Sequence, residues 1–162
     1  MSSKLDSSGI KTNGPTLTAL DIANYFLAGT DEAADPDELI SPLKLQKLLY
    51  YAQGLYLART GEPLFSDEIQ AWQHGPVVPS VWAHFKDNGS RGITPPESLE
   101  LSRYTAEIRE HLDDVWTVYG QFSAGKLRNM THKEEPWYET ESWAVITHEK
   151  MRRFFESCLI RE

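Results

Sequence analysis

Imidazole and carboxylate groups supply most metal ligands and general bases, so their spacing is the first test for chemistry. His132 and Glu135 stand three residues apart, and His148 is followed directly by Glu149. Neither pair extends to His-Glu-x-x-His, the spacing that sets two imidazoles on one helix face with a base between them. The chain holds no Gly-x-Ser-x-Gly elbow, no phosphate-binding P-loop and no Gly-x-Gly-x-x-Gly turn. Its single cysteine, Cys158, falls in an amphipathic segment beside Phe154, Phe155 and Leu159, which suits a packed thiol better than a nucleophile. Residue spacing therefore points away from an enzyme, and no cofactor or metal site is expected. The enzymatic alternative is a small metal-dependent hydrolase in which His74, His132 and a nearby carboxylate converge in a cleft.

Two aromatic segments carry more information. In Trp72-Gln-His-Gly-Pro-Val-Val-Pro-Ser-Val-Trp82, Pro76 and Pro79 restrict the backbone, Gly75 permits a turn, and the two tryptophans bring large contact area. Such a segment is either a rigid corner packing one helix on another or an exposed aromatic anchor of the kind enriched at interfaces. In Thr131-His-Lys-Glu-Glu-Pro-Trp137, Thr131 or His132 can bond free backbone groups at a helix end while Trp137 plugs the core.

The elements that position these groups are mostly helical. Thr18 caps a helix to Ala28, with Asp21 in its first turn and Gly29 as its stop. The acidic stretch from Thr30 to Leu39 reads as a solvated loop. The second helix is the clearest: Ser41 is the N-cap, Pro42 takes the first position, and Gly61 ends it. Leu45, Leu48, Leu49, Ala52, Leu55 and Tyr56 follow helical spacing, while Lys44, Lys47 and Gln53 fall mainly on other faces. Gly54, unfavourable within a helix, implies close approach of another element. Alternation over Asp67 to His74 reads as a short strand, with His74-Gly75-Pro76 as a turn and a helix from Val77 or Pro79 to Asp87. Ser90 to Arg103, with Pro95-Pro96, reads as loop. Thr105 caps a helix to Phe122, Ser123 to Met130 is a further short helix, and Thr147 caps a last helix to Leu159. The fold class is mainly α: a single compact domain of five to six helices, with at most a short strand or hairpin near 67–74. Residues 1–16 read as a flexible arm and 17–162 as the domain.

Composition narrows the function. The chain has 162 residues, 40% of them hydrophobic, with five tryptophans, enough for an aromatic-rich core. One cysteine excludes an internal disulfide framework and fits a reducing compartment. The first fifteen residues have no apolar run, and no stretch approaches 18 uninterrupted apolar residues, so a cytoplasmic protein without membrane spans is expected. Net charge is −8, from 24 acids against 16 bases, and the bases are scattered. Direct nucleic-acid binding, which needs a basic patch to displace counterions, is disfavoured. An acidic surface suits solubility and, equally, a basic protein partner.

Taken together, several segments resemble one family. They are Lys44-Leu-Gln-Lys-Leu-Leu-Tyr-Tyr-Ala-Gln-Gly54, Leu64-Phe-x-Asp-x-Ile-x-Ala-Trp72, His74-Gly-Pro-Val-Val-Pro79, Phe85-Lys86 and Thr131-His-x-x-x-Pro-Trp137. In order and spacing they are similar to the Panacea domain of SocA-like antitoxins, found in bacterial and phage toxin–antitoxin pairs. The resemblance runs from Leu17 to Trp143. It implies a mostly helical domain that neutralises a toxin encoded by a neighbouring gene through direct protein–protein contact. In the SocA-like case, the toxin is delivered to a protease. Family partners are diverse, so the resemblance does not name the toxin. Some relatives carry an added DNA-binding domain, for which this chain has no room. The residues it suggests for toxin contact are Lys47, Tyr50, Tyr51, Trp72, His74, Val77, Trp82, His132 and Trp137. A phage-encoded modulator of a host protein is the remaining alternative.

Overall fold

The computed structural model describes residues 17–31 and 38–161. The expected arm over 1–16 and most of the acidic loop lie outside them. Among the described residues there are seven helices: α1 (Ala19–Ala28), α2 (Pro42–Thr60), α3 (Pro79–Phe85), α4 (Ala106–Tyr119), α5 (Ala124–Thr131), α6 (Glu135–Tyr138) and α7 (His148–Arg161). Two short strands, β1 (Gln70–Trp72) and β2 (Gly75–Val77), stand between α2 and α3. The mainly α expectation holds, but the helix count exceeds five to six. The difference is α6, one turn opened by Pro136 within the segment read as merely compact. None of the described helices is long and apolar enough to cross a membrane.

Local signals place the helix ends. Thr18 and Asp21 form a reciprocal capping box at α1, each side chain bonded to the other's backbone N–H. Ser41 accepts from Lys44 N at α2, which ends on Gly61 at φ 81. Thr105, Ser123 and Thr147 cap the later helices in the same way.

Helix α2 is not amphipathic. From Leu45 to Leu55 it is buried on every side, with α1, α3, α4, α5, α7 and β2 packed around it. Lys47, placed by periodicity on another face than the core, is fully buried, as are Gln46 and Gln53. A helix enclosed all round has no solvent face for a polar residue to occupy. These side chains instead satisfy the backbone of segments that have no helix of their own. Gln53 Oε1 accepts from Leu64 N at 2.7 Å and Phe65 N at 3.2 Å, and its Nε2 donates to Phe65 O at 2.8 Å. Gln46 Oε1 accepts from Val78 N at 2.7 Å, and Lys47 Nζ donates to Pro76 O at 2.9 Å.

Gly54 meets α7, as its place in the helix implied. A Cβ built there would lie 2.1 Å from Phe155 Cε2. Phe155 is itself wedged edge-on between Tyr50 and Tyr51, with centroids 5.5 Å and 5.8 Å away, so it cannot give way. Gly54→Ala is expected to destabilise the fold by about 2 kcal/mol, despite the roughly 1 kcal/mol that alanine gains in a helix. Thermal unfolding checks this: a Tm equal to or above wild type would show that the two helices can separate freely.

The hairpin lies slightly later than expected. Gln70 pairs with Val77, Ala71 with Pro76 and Trp72 with Gly75, so Gln73 and His74 form the turn and Gly75-Pro76 belongs to β2. Proline is tolerated there because Ala71, opposite it, turns both its backbone groups to the other side. Ala71 N donates to Ala144 O at 3.0 Å, and Ala71 O accepts from Trp143 N at 2.7 Å. Residues 143–146 thus flank β1, with Ile146 N donating to Ile69 O at 2.7 Å. Long-range bonds fix the 90–105 loop: Arg103 forks onto Asp21 at 2.8 and 3.1 Å, and Tyr104 donates to Asp21 O.

Candidate protein-binding site

The hairpin turn, the end of α5 and α6 meet at one corner of the molecule. Trp137 of α6 donates from Nε1 to Trp72 O at 2.8 Å, which locks α6 to β1. The His132 ring lies flat on Trp137, centroids 4.0 Å apart and planes 6° apart. Two different surfaces adjoin this joint.

One is aromatic. Trp72 meets Trp82 of α3 edge-on at 6.1 Å and Trp143 at 4.9 Å. Trp72 and Trp82 are half-buried, but Trp143 is 63% exposed, and Val145 and Tyr138 are exposed as well. Trp143 is also the one described non-glycine residue at positive φ, 70°. A bulky side chain in that region costs of order 1–3 kcal/mol, and the backbone bonds of 143 and 144 to Ala71 that hold this φ do not require an aromatic ring there. What the conformation achieves is to bring a third indole beside Trp72 on open surface. Exposed tryptophans grouped in this way are the usual anchors of protein interfaces.

The other surface is cationic. Arg128 Nε donates to His74 Nδ1 at 3.1 Å, and Arg128 Nη1 donates to Asn129 Oδ1 at 3.2 Å. His74 is exposed and Arg128 half-buried. Beneath them lies the buried Lys47 ammonium, whose pKa burial, helped by repulsion from Arg128, pushes down to about 7. Gly75 is obligatory over it: at φ 113, a Cβ there would lie 2.7 Å from Lys47 Cε and 2.8 Å from Thr131 Oγ1. His132 is held below the usual histidine range by burial first, then by Arg128, Lys47 and His74, while a bond to the Gln73 backbone works the other way. Its Nε2 is buried without a hydrogen-bond partner among the described residues.

The nine residues singled out from the sequence therefore divide. Trp72, Trp82, His74, His132 and Trp137 gather at this corner with some surface. Lys47, Tyr50, Tyr51 and Val77 are buried and have none to offer a partner. For Lys47, Tyr50 and Tyr51 the reason is the enclosure of α2, and for Val77 it is the packing of β2 against α2 and α5. Tyr50 and Tyr51 donate to Glu134 Oε1 and Oε2 at 3.0 and 2.9 Å. Burial raises that carboxyl to about 7 although both hydroxyls oppose the rise. The hydrolase arrangement does not fit these contacts: His74 and His132 are neighbours of an ammonium and a guanidinium, and Glu134 is turned to the tyrosines. The positive charge of Arg128, together with Lys47 when protonated, repels a divalent cation from these two imidazoles.

Trp143 and Arg128 carry the site yet were not singled out from the sequence. Five tryptophans gave no means of ranking Trp143, and Arg128 meets His74 only through tertiary packing of α5 on the hairpin.

The family model described as "Antitoxin SocA-like, Panacea domain" matches residues 45–138. Antitoxin SocA of Caulobacter vibrioides (strain NA1000 / CB15N) is 34% identical over 134 residues, covering 72% of this chain. The chain spans 66% of the length of that relative. No solved structure matches.

Proposed function

The chain belongs to the SocA-like antitoxins with a Panacea domain, and from that premise we propose that it neutralises a toxin encoded beside it by direct protein–protein binding. The face we assign to the toxin is the aromatic surface of Trp72, Trp82 and Trp143. The observation that carries this is Trp143, held at φ 70 while 63% exposed. Backbone bonds from 143 and 144 to Ala71 hold this φ, but they do not call for a tryptophan at the position, and an anchor for a partner does. A toxin held tightly needs roughly 1,000 Å² or more of buried interface, so the contact extends beyond the three indoles onto neighbouring surface.

Co-expression with the adjacent gene tests the reading. The neighbour alone is expected to arrest growth, this protein to restore it, and the two to co-purify. Immunoblotting of the toxin separates occlusion, which leaves its level unchanged, from delivery to a protease, which lowers it. A neighbour harmless by itself, or lethal in the presence of this protein, would end the proposal.

A further inference from the structure

The cationic corner has a property the aromatic surface does not explain. Among the described residues, Lys47 makes one hydrogen bond, to a carbonyl, and bonds to no carboxylate. Arg128 engages only a neutral imidazole nitrogen and an amide oxygen, and its Nη2 bonds to no described residue. The titratable and charged groups that face this point are Lys47 from α2, His74 from the turn, Arg128 from α5 and His132 just after it. Glu134, two residues after His132, is bound to Tyr50 and Tyr51 instead. In a protein of net charge −8, this is a positive centre left without its counter-charge. A buried cation is normally paired, and a half-buried one keeps only part of its hydration, so an opposite charge placed here stabilises the pair of them.

We propose that Arg128 and His74 form the seat of a carboxylate carried by the toxin, an aspartate or glutamate side chain. The position also places a flanking apolar residue of the toxin against Trp72. This deepens the assignment of the aromatic face and rests on it. Two donors are available at the surface: Arg128 Nη2, and Nε2–H of His74, whose Nδ1 already accepts from Arg128. Lys47 does not touch the incoming group, being sealed under Gly75, but it adds positive potential from below. An amide or hydroxyl would also bond to these donors, but only an anion relieves the uncompensated charge. The seat further gives specificity: a protein of net charge −8 repels a carboxylate on average, and this cationic point favours it.

The test uses the full chain and the protein encoded by the adjacent gene. Arg128→Gln is expected to weaken binding roughly 10-fold or more, and Arg128→Lys, which keeps the charge but loses the fork, to recover only part of it. Each aspartate and glutamate of the toxin is then changed to its amide in both backgrounds. One of them is expected to lose affinity against wild type but not against Arg128→Gln, and that coupling identifies the seated carboxylate. An Arg128→Gln protein that binds as wild type does, or losses that simply add for every toxin variant, would overturn the seat while leaving the aromatic face standing. If the neighbour does not bind at all, the proposed function fails, and acetate alone decides the seat. Titrated into the full chain, acetate is expected to shift the Arg128 Nε–H and His74 ring signals in NMR spectra of wild type and not of Arg128→Gln. Unmoved signals would overturn it.

Discussion

Replacing Trp143 with asparagine is expected to leave the free protein as stable as wild type, or about 1 kcal/mol more stable, while weakening toxin binding roughly 30-fold or more. The two effects have separate origins. At φ 70 any Cβ crowds the backbone, and asparagine offsets that cost by hydrogen-bonding locally with its short polar side chain where tryptophan cannot. Against that gain stands the contact with Trp72 at 4.9 Å, a modest loss because the ring is mostly in water. The backbone bonds from 143 and 144 to Ala71 do not depend on the side chain, so the segment stays in place. Binding responds differently, since a central aromatic anchor in an interface is commonly worth 2 kcal/mol or more. Trp143→Gly is a second variant, with the same binding loss and a smaller gain in stability because glycine loses more freedom on folding. Urea unfolding and calorimetric titration with the toxin measure the two quantities. A Trp143→Asn protein that binds like wild type sinks the assignment; one that merely unfolds is detected by the first measurement.

What the sequence made legible was local. Thr18, Ser41, Thr105, Ser123 and Thr147 mark helix starts because an N-cap is a contact between residues three apart, and Gly61 marks an end because it adopts the left-handed backbone there. Gly54 could be read as a close approach because its cost in a helix needs a reason, though only the fold names Phe155 as that reason. The failures are all long-range. Periodicity assigns a helix one buried face, so it placed Lys47 away from the core; six elements enclose α2, and the acceptor for Lys47 is a carbonyl 29 residues away. The His74-Gly75-Pro76 turn was displaced by one or two residues because proline in a strand looks prohibitive until its partner, Ala71, is seen to bond elsewhere. The family motifs located the correct corner of the molecule and mixed the residues that form its surface with those that hold it from beneath. Trp143 had no local signal, since positive φ is ordinarily announced by glycine or asparagine and here a tryptophan adopts it.

The buried pair of opposite sign, Lys47 and Glu134, should give the stability profile two slopes of opposite direction. Burial lowers the Lys47 ammonium from 10.5 to about 7, which disfavours its charged form in the fold by roughly 5 kcal/mol. The stability tied to neutral Lys47 is complete above pH 10.5 and is lost as pH falls through 7. Burial raises Glu134 from 4.5 to about 7, a cost of about 3 kcal/mol to its charged form. Its contribution is complete below pH 4.5 and is lost as pH rises through 7. Near neutrality both groups therefore stand close to their least favourable balance. Lys47→Met is expected to exceed wild type by a few kcal/mol below pH 7, reduced by about 1 kcal/mol for the carbonyl of Pro76 left unbonded, with the advantage vanishing toward pH 10.5. Glu134→Gln, which still meets both tyrosine hydroxyls, is expected to gain about 3 kcal/mol above pH 7 and nothing below pH 4.5. Urea unfolding of the three proteins across this range reads the differences directly, and any general acid or alkaline denaturation cancels between variant and wild type. Difference curves that are flat, or that slope the same way for both variants, would mean that these two groups are solvated in the native state and that the positive corner has no buried charge beneath it.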